Sequence, residues 1–235
     1  MKTLLRIMAS MMLFCLGSFW AVGIASSMSP DEAMALLSEG NARYVKSQAQ
    51  RPNQGPDRRN ATAIKGQQPF ATILSCSDSR VPTEVVFDRG VGDIFVIRVA
   101  GNVANADQIG SIEYAVAHLG SPLLVVLGHT KCGAVEAVTH GASLQGNIIP
   151  IARAICPAVA AARKENPSAT GEALVNEAIK ANVWQAIEDI FRASPITVGR
   201  VKAGKLKVVG AVYDIKTGMV NWMGPHPSQA KLLSE

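Results

Sequence analysis

Leu123-Leu124-Val125-Val126-Leu127 is apolar at every position, and Gly128-His129-Thr130-Lys131-Cys132-Gly133 follows it directly. Such a run has no polar face to offer water, so as a strand it requires cover on both sides. Helices supply that cover. Upstream, Ile109, Ile112, Ala115, Val116 and Leu119 recur at helical spacing, and Gly120 closes the element. Downstream, helical stretches run over about Ile148–Lys164 and Glu172–Phe191, with Pro150 and Pro157 expected to break up the first.

Other short runs fit the same sheet. Phe70-Ala71-Thr72-Ile73-Leu74 is β-prone and ends at Ser75-Cys76, and Ile94-Phe95-Val96-Ile97-Arg98-Val99 follows the Gly90/Gly92 turn. Leu206–Tyr213 and Met219–Trp222, joined through Asp214-Ile215-Lys216-Thr217-Gly218, read as a β-hairpin. Near the start, Ser29 is a good N-cap, Pro30 suits the first helical position, and Glu32 completes a capping box. Ala33, Leu36, Leu37 and Tyr44 give that helix an apolar stripe that Gly40 is expected to bend or break, and Gln48–Asn60 reads as a surface connector. Strands alternating with helices define an α/β fold: a mostly parallel sheet flanked by helices, with an antiparallel hairpin edge and an N-terminal helical arm. At 235 residues one domain is the natural unit, with residues 26–60 as arm and connector and 61–235 as the α/β domain.

Residues 1–25 read as a signal peptide. Lys2 and Arg6 precede an apolar stretch from Ile7 to Ala21, and Gly23-Ile24-Ala25 offers a small-residue cleavage site. That stretch is shorter than the ~20 residues that span a bilayer, so export with cleavage is expected, and no stable membrane insertion afterwards. Bulky Leu13 and Phe14 ahead of Cys15 exclude a lipoprotein site. The destination is the periplasm in a double-membrane bacterium, and the exterior otherwise. Removing Lys2 and Arg6 from the 23 basic residues leaves 21 against 18 acidic ones, a net charge of +3. A charge that small, with no basic stripe carrying aromatics, excludes a nucleic-acid partner. The mature chain keeps Cys76, Cys132 and Cys156, an odd set for an oxidising compartment, which points to metal binding or burial.

Ligands of parallel sheets gather beyond the carboxyl ends of strands. Cys76 and the pair His129/Cys132 fall at two such ends. Two thiolates and an imidazole form a borderline-soft set that suits Zn²⁺, and three protein ligands leave a fourth position open. Cys132 beside a helix N-terminus is expected to have a lowered thiol pKa. Alone, His-x-x-Cys is as well explained by packing; Cys76-Ser77-Asp78-Ser79-Arg80 at the neighbouring strand end adds Asp78 and Arg80, placed to pair beside a metal. No Walker loop or Gly-x-Gly-x-x-Gly is present, and a phosphatase reading of Cys76 and Arg80 lacks the longer amide cradle.

In this order the motifs resemble the β-class carbonic anhydrases. The resemblance rests on Cys76-Ser77-Asp78-Ser79-Arg80 and Gly128-His129 through Cys132-Gly133, and extends over Gly40-Asn41-Ala42-Arg43-Tyr44, Phe95–Asn102 and Gly110–Ala115. It implies a dimer or an assembly of dimers, with Cys76, His129 and Cys132 as zinc ligands and Asp78 with Arg80 as a catalytic dyad. The implied reaction is reversible hydration of carbon dioxide to bicarbonate by hydroxide on zinc. Two thiolates give the metal more charge than neutral imidazoles do, so activity is expected to rise towards alkaline pH. The family also implies a closed state, with Asp78 as fourth ligand. Two departures stand out. No Trp precedes Trp184 in the mature chain, which removes the inhibitory bicarbonate pocket of one subgroup, and Phe87-Asp88-Arg89-Gly90 lacks a substrate-positioning Gln that many members carry. The alternatives are hydrolysis of carbonyl sulfide or carbon disulfide on the same site, or a non-catalytic zinc-binding or redox-thiol protein.

The remaining candidates have plainer readings. His118 and Cys156 are expected to be packed residues, His140 and His226 to lie in loops, and Trp184 and Trp222 to anchor the core or a dimer interface.

Overall fold

The computed structural model describes residues 28–234, so the expected signal peptide lies outside the described residues. Five strands form one sheet: β1 (Ala71–Ser75), β2 (Ile94–Arg98), β3 (Leu123–His129), β4 (Lys207–Tyr213) and β5 (Val220–Gly224). Their order is β2-β1-β3-β4-β5; all neighbouring pairs are parallel except β4 and β5, the antiparallel hairpin edge. This is the single α/β domain anticipated from the alternation of runs.

The continuous apolar run of β3 divides by parity, as a strand covered on both faces must. Leu124 and Val126 join one core with Leu74, while Leu123, Val125 and Leu127 join the other with Ala71 and Ile73. All five are fully buried, and each contributes roughly 1.5–3 kcal/mol of apolar transfer. The first core lies beneath α4 (Ala106–Glu113), α5 (Gly133–Thr139), α6 (Ile149–Glu165) and α7 (Gly171–Ala193). The second is closed by α1 (Pro30–Val45) and α3 (Thr83–Val86), through Ala33, Leu37 and Val86. The N-terminal helix therefore completes the chain's own core.

Register brings the site together. Ser75 pairs with both Leu127 and Arg98, so Cys76, His129 and the end of β2 share one edge of the sheet.

Several sequence expectations are corrected. Gly40 does not interrupt α1, which runs to Val45 from the expected Ser29–Glu32 capping box. Its missing side chain instead lets the helix approach Phe87, whose carbonyl a Cβ would strike. Part of the connector is helical: α2 covers Pro56–Lys65, started by Pro56 and ended at Gly66 with φ of 76°. Pro157 does not break α6, because it and Arg153 lie on the exposed face, where water can satisfy the carbonyl that loses its helical donor. Cys156 is exposed rather than buried, on that same face. His118 is exposed too, its ring 5.5 Å from that of Tyr114 in a single π-helical turn over Tyr114–His118. His226 is in a loop yet buried, edge-on to Trp184 at 5.2 Å and 3.3 Å from a Glu188 oxygen.

Candidate metal centre

Cys76 is the first residue beyond β1, His129 the last of β3, and Cys132 the N-cap of α5. The chain turns sharply between the last two, and Lys131 adopts a left-handed φ of 57° to make that turn. The Sγ atoms of Cys76 and Cys132 and a ring nitrogen of His129 all lie within 4.8 Å of one another, and all three residues are buried. Among the described residues this is the one such cluster of metal-ligating side chains.

His129 shows which of its nitrogens is available. Nδ1 lies 2.9 Å from the Thr130 carbonyl, which can only accept, so Nδ1 carries the proton and donates. Nε2 is then left with a lone pair, is wholly buried and makes no hydrogen bond. An orphaned, fully buried acceptor costs free energy unless something binds it, and a metal ion held beside two cysteine sulfurs would satisfy it. The residues present therefore fit a tetrahedral Zn²⁺ site with three protein donors.

The two thiols do not share charge as the helix-terminus argument anticipated. Cys132 beside it is the main cause that lowers Cys76, and burial opposes the shift. Asp78 and Gly101 amides add to the lowering, and the Gly101 N–H donates to Cys76 Sγ at 3.3 Å. Cys132 is pushed up, first by its hydrogen bond with Cys76 and then by burial, which outweigh the α5 amides of Val135 and Ala134. The lowering of one thiol and the raising of the other are two sides of one hydrogen bond in which the sulfurs share a proton, so the titration belongs to the pair.

Asp78 and Arg80 stand beside this cluster. Arg80 Nε donates to Asp78 Oδ1 at 2.9 Å and Nη2 to Oδ2 at 2.7 Å, a bidentate pair. The Arg80 backbone N–H adds a third bond to Oδ1 at 2.9 Å, and Nη2 also reaches the Lys131 carbonyl at 3.1 Å. The Arg80 guanidinium holds the Asp78 carboxyl well below the usual carboxylate range. Asp78 Oδ2 lies 3.9 Å from His129 Nε2, close to the donor cluster while fully engaged by Arg80.

Arg98 is a site residue that reasoning from sequence assigned no role. It donates from Nε to the Cys76 carbonyl at 3.1 Å and from Nη2 to the Asp78 carbonyl at 2.7 Å, bracing the turn that carries both. Its position as the one charge ending the apolar β2 run was the available signal. The loop lacking Gln is otherwise occupied: Phe87 is buried and stacks 6.1 Å from Trp222, and Asp88 accepts from Arg43 and from the Gln50 and Arg51 amides.

A parallel sheet whose strand ends gather two thiols, one available imidazole nitrogen and an arginine-held carboxylate defines a metalloenzyme class of α/β architecture. A family model described as carbonic anhydrase matches residues 71–220, and the chain belongs to that family, in its β class. Carbonic anhydrase 2 of Mycobacterium tuberculosis is 38% identical over 194 residues, covering 81% of this chain and 91% of its own. The carbonic anhydrase of Mycolicibacterium smegmatis is 37% identical over 196 residues, covering 82% and 92%. Among solved structures, the β-carbonic anhydrase of Aspergillus fumigatus superposes with a TM-score of 0.69 at 25% identity, covering 87% of this chain and 96% of its own. A tetrameric β-carbonic anhydrase from Sordaria macrospora does so at 0.66 and 25%, covering 83% and 98%. The chain is a carbonic anhydrase enzyme.

Proposed function

We propose that Cys76, His129 and Cys132 hold Zn²⁺ and that the site interconverts carbon dioxide and bicarbonate with Asp78 and Arg80 as the working pair. The observation that carries this reading is the buried His129 ring, which has a nitrogen within 4.8 Å of two cysteine sulfurs and leaves Nε2 without a hydrogen-bond partner. Bound there, zinc would supply a Lewis acid that lowers the pKa of a water towards neutrality and so provides hydroxide at working pH. The protein's part follows from its own groups. Asp78, kept ionised by Arg80, is acceptor-only, so it takes a hydrogen bond from the attacking water and turns that oxygen's lone pair towards the substrate carbon. Arg80 restrains the carboxylate through two parallel bonds and keeps it from joining the metal ligands. Arg98 fixes the Cys76–Asp78 backbone, so ligand and acceptor keep one spacing. The pairing of Asp78 with Arg80 supports the open arrangement over the closed one.

Cys76→Ala tests the assignment. It should lose bound zinc and CO₂ hydration together, and full activity at unchanged zinc content would refute it. Export through residues 1–25 and assembly as dimers or pairs of dimers belong to the same reading; the leader's charge and apolar pattern support the first, and the tetrameric relative supports the second. Among the described residues no helix is long and apolar enough to cross a membrane. A mature N-terminus near Ser26 and a solution mass of at least two chains are the expected results; an intact Met1 in the exported fraction or a monomer would contradict them.

A further inference from the structure

Gly101 is gripped from two sides. Its N–H donates to Cys76 Sγ at 3.3 Å, and its carbonyl accepts from Asn182 Nδ2 at 2.7 Å. Facing both ways at once requires the left-handed backbone that Gly101 adopts, with φ of 72°. A Cβ there would lie 2.7 Å from Ile155 Cδ1 and 3.3 Å from Ala134 Cβ, so a side chain would have to push Ile155 aside as well as adopt the left-handed backbone.

Asn182 stands out on its own element. The buried stripe of α7 consists of Leu174, Val175, Ala178, Ile179, Val183, Ala186, Ile187, Ile190 and Phe191, with Asn182 as its only polar member. At 2% exposure its amide is out of water, and an apolar residue of similar volume would fill the position without needing a partner. The partner it has is the glycine that touches the sulfur. An N–H···S bond stabilises thiolate charge and sets the direction of the sulfur's remaining lone pairs, as outer partners of metal ligands do generally.

We infer that Asn182 is a positioning residue for the metal thiolate: it pins Gly101 so that the Gly101 N–H stays on Cys76 Sγ, and thereby tightens metal binding from a helix whose Asn182 side chain is not itself a ligand. This inference rests on the zinc reading of Cys76, His129 and Cys132. It extends the centre to α7, which otherwise serves as cover for the sheet.

The test measures metal binding directly on the purified chain. Asn182→Leu keeps the forked shape and removes the donor, and Asn182→Ser keeps a shorter donor. Zinc affinity by chelator competition should fall ~10–100-fold in Asn182→Leu and less in Asn182→Ser. The thiolate-to-cobalt charge-transfer band of the Co²⁺-loaded protein should shift in the same order. Ile190→Val, on the same helix away from Gly101, is expected to lower the melting temperature while leaving zinc affinity and the cobalt band unchanged. Wild-type affinity and an unshifted band in a folded Asn182→Leu would overturn the inference, as would an equal loss of affinity in Ile190→Val. Should neither Asn182 variant fold, the wild type loaded with NMR-active cadmium decides: the Gly101 amide proton should couple to the metal through Cys76 Sγ, and no coupling would overturn the link. Failure of the wild type to bind Zn²⁺ or Co²⁺ at all would instead refute the zinc reading.

Discussion

Asp78 and Arg80 are two positions apart, and their pairing is tighter than that of an ordinary surface ion pair. The arginine side chain is half exposed, a setting in which most ion pairs stabilise by no more than ~1 kcal/mol. Two side-chain bonds, a backbone bond to the same carboxylate and an anchor on the Lys131 carbonyl are more than such a pair needs. Asp78→Asn replaces an acceptor-only group with one that also donates. It should lower kcat by about 100-fold or more with zinc content unchanged, and wild-type turnover would remove Asp78 from the mechanism. The thiol pair makes a second prediction. Because the two thiols share a proton, one lowered and the other raised, zinc binding at pH ~7 should release about one proton per site from the pair, measured by calorimetry in buffers of different ionisation enthalpy. Release of two would mean that both thiols are protonated without metal. At this scale the clustering of Cys76, His129 and Cys132 and the pairing of Asp78 with Arg80 were legible, because chemistry-bearing residues beyond the ends of apolar runs are exposed by pattern alone. Arg98 and Asn182 were not, since their partners, Cys76, Asp78 and Gly101, are reached only through strand register and helix packing.

Helix α1 meets α3 and the hairpin through one close contact and one saturated amide. Gly40 brings the backbones together, and next to it Asn41 Nδ2 donates to the carbonyls of Val86 at 3.1 Å and Gly218 at 2.9 Å while Oδ1 accepts from the Val220 amide at 2.9 Å. Gly40→Ala gains helix propensity yet forces α1 away from a backbone atom that has no freedom to rotate aside. It should therefore destabilise the fold by about 1–3 kcal/mol, read from the urea midpoint. An unchanged or raised midpoint would show that the approach is loose. A glycine inside an apolar helical stripe reads in sequence as a bend, because local pattern carries no information about what the helix will press against. Pro157 misleads for a related reason: whether a proline interrupts a helix depends on which face it occupies, and only the packed structure of α6 puts it towards water. The capping box at Ser29 and the hairpin over Asp214–Gly218 were legible because each is settled within a few residues.

Across the whole molecule, the order β2-β1-β3-β4-β5 does one thing for function: it sets the ends of β1, β2 and β3 side by side. Parallel pairing of Ser75 with Leu127 and with Arg98 converts separations of more than twenty residues into neighbouring positions, and the sheet buried on both faces keeps them there. The α/β class was readable from the alternation of runs, while the register that assembles the centre is a property of the folded sheet. On the proposed reading, this edge is a zinc site that hydrates carbon dioxide with Asp78 free of the metal. The most direct test is stopped-flow CO₂ hydration by a chain beginning at Ser26 over pH ~6–9, with zinc content assayed on the same samples, a range that brackets the ~7 of an activated zinc water and leaves room for an upward shift from two thiolates. One zinc per chain with activity climbing towards alkaline pH is the predicted result. One zinc per chain with no turnover at any pH would contradict it.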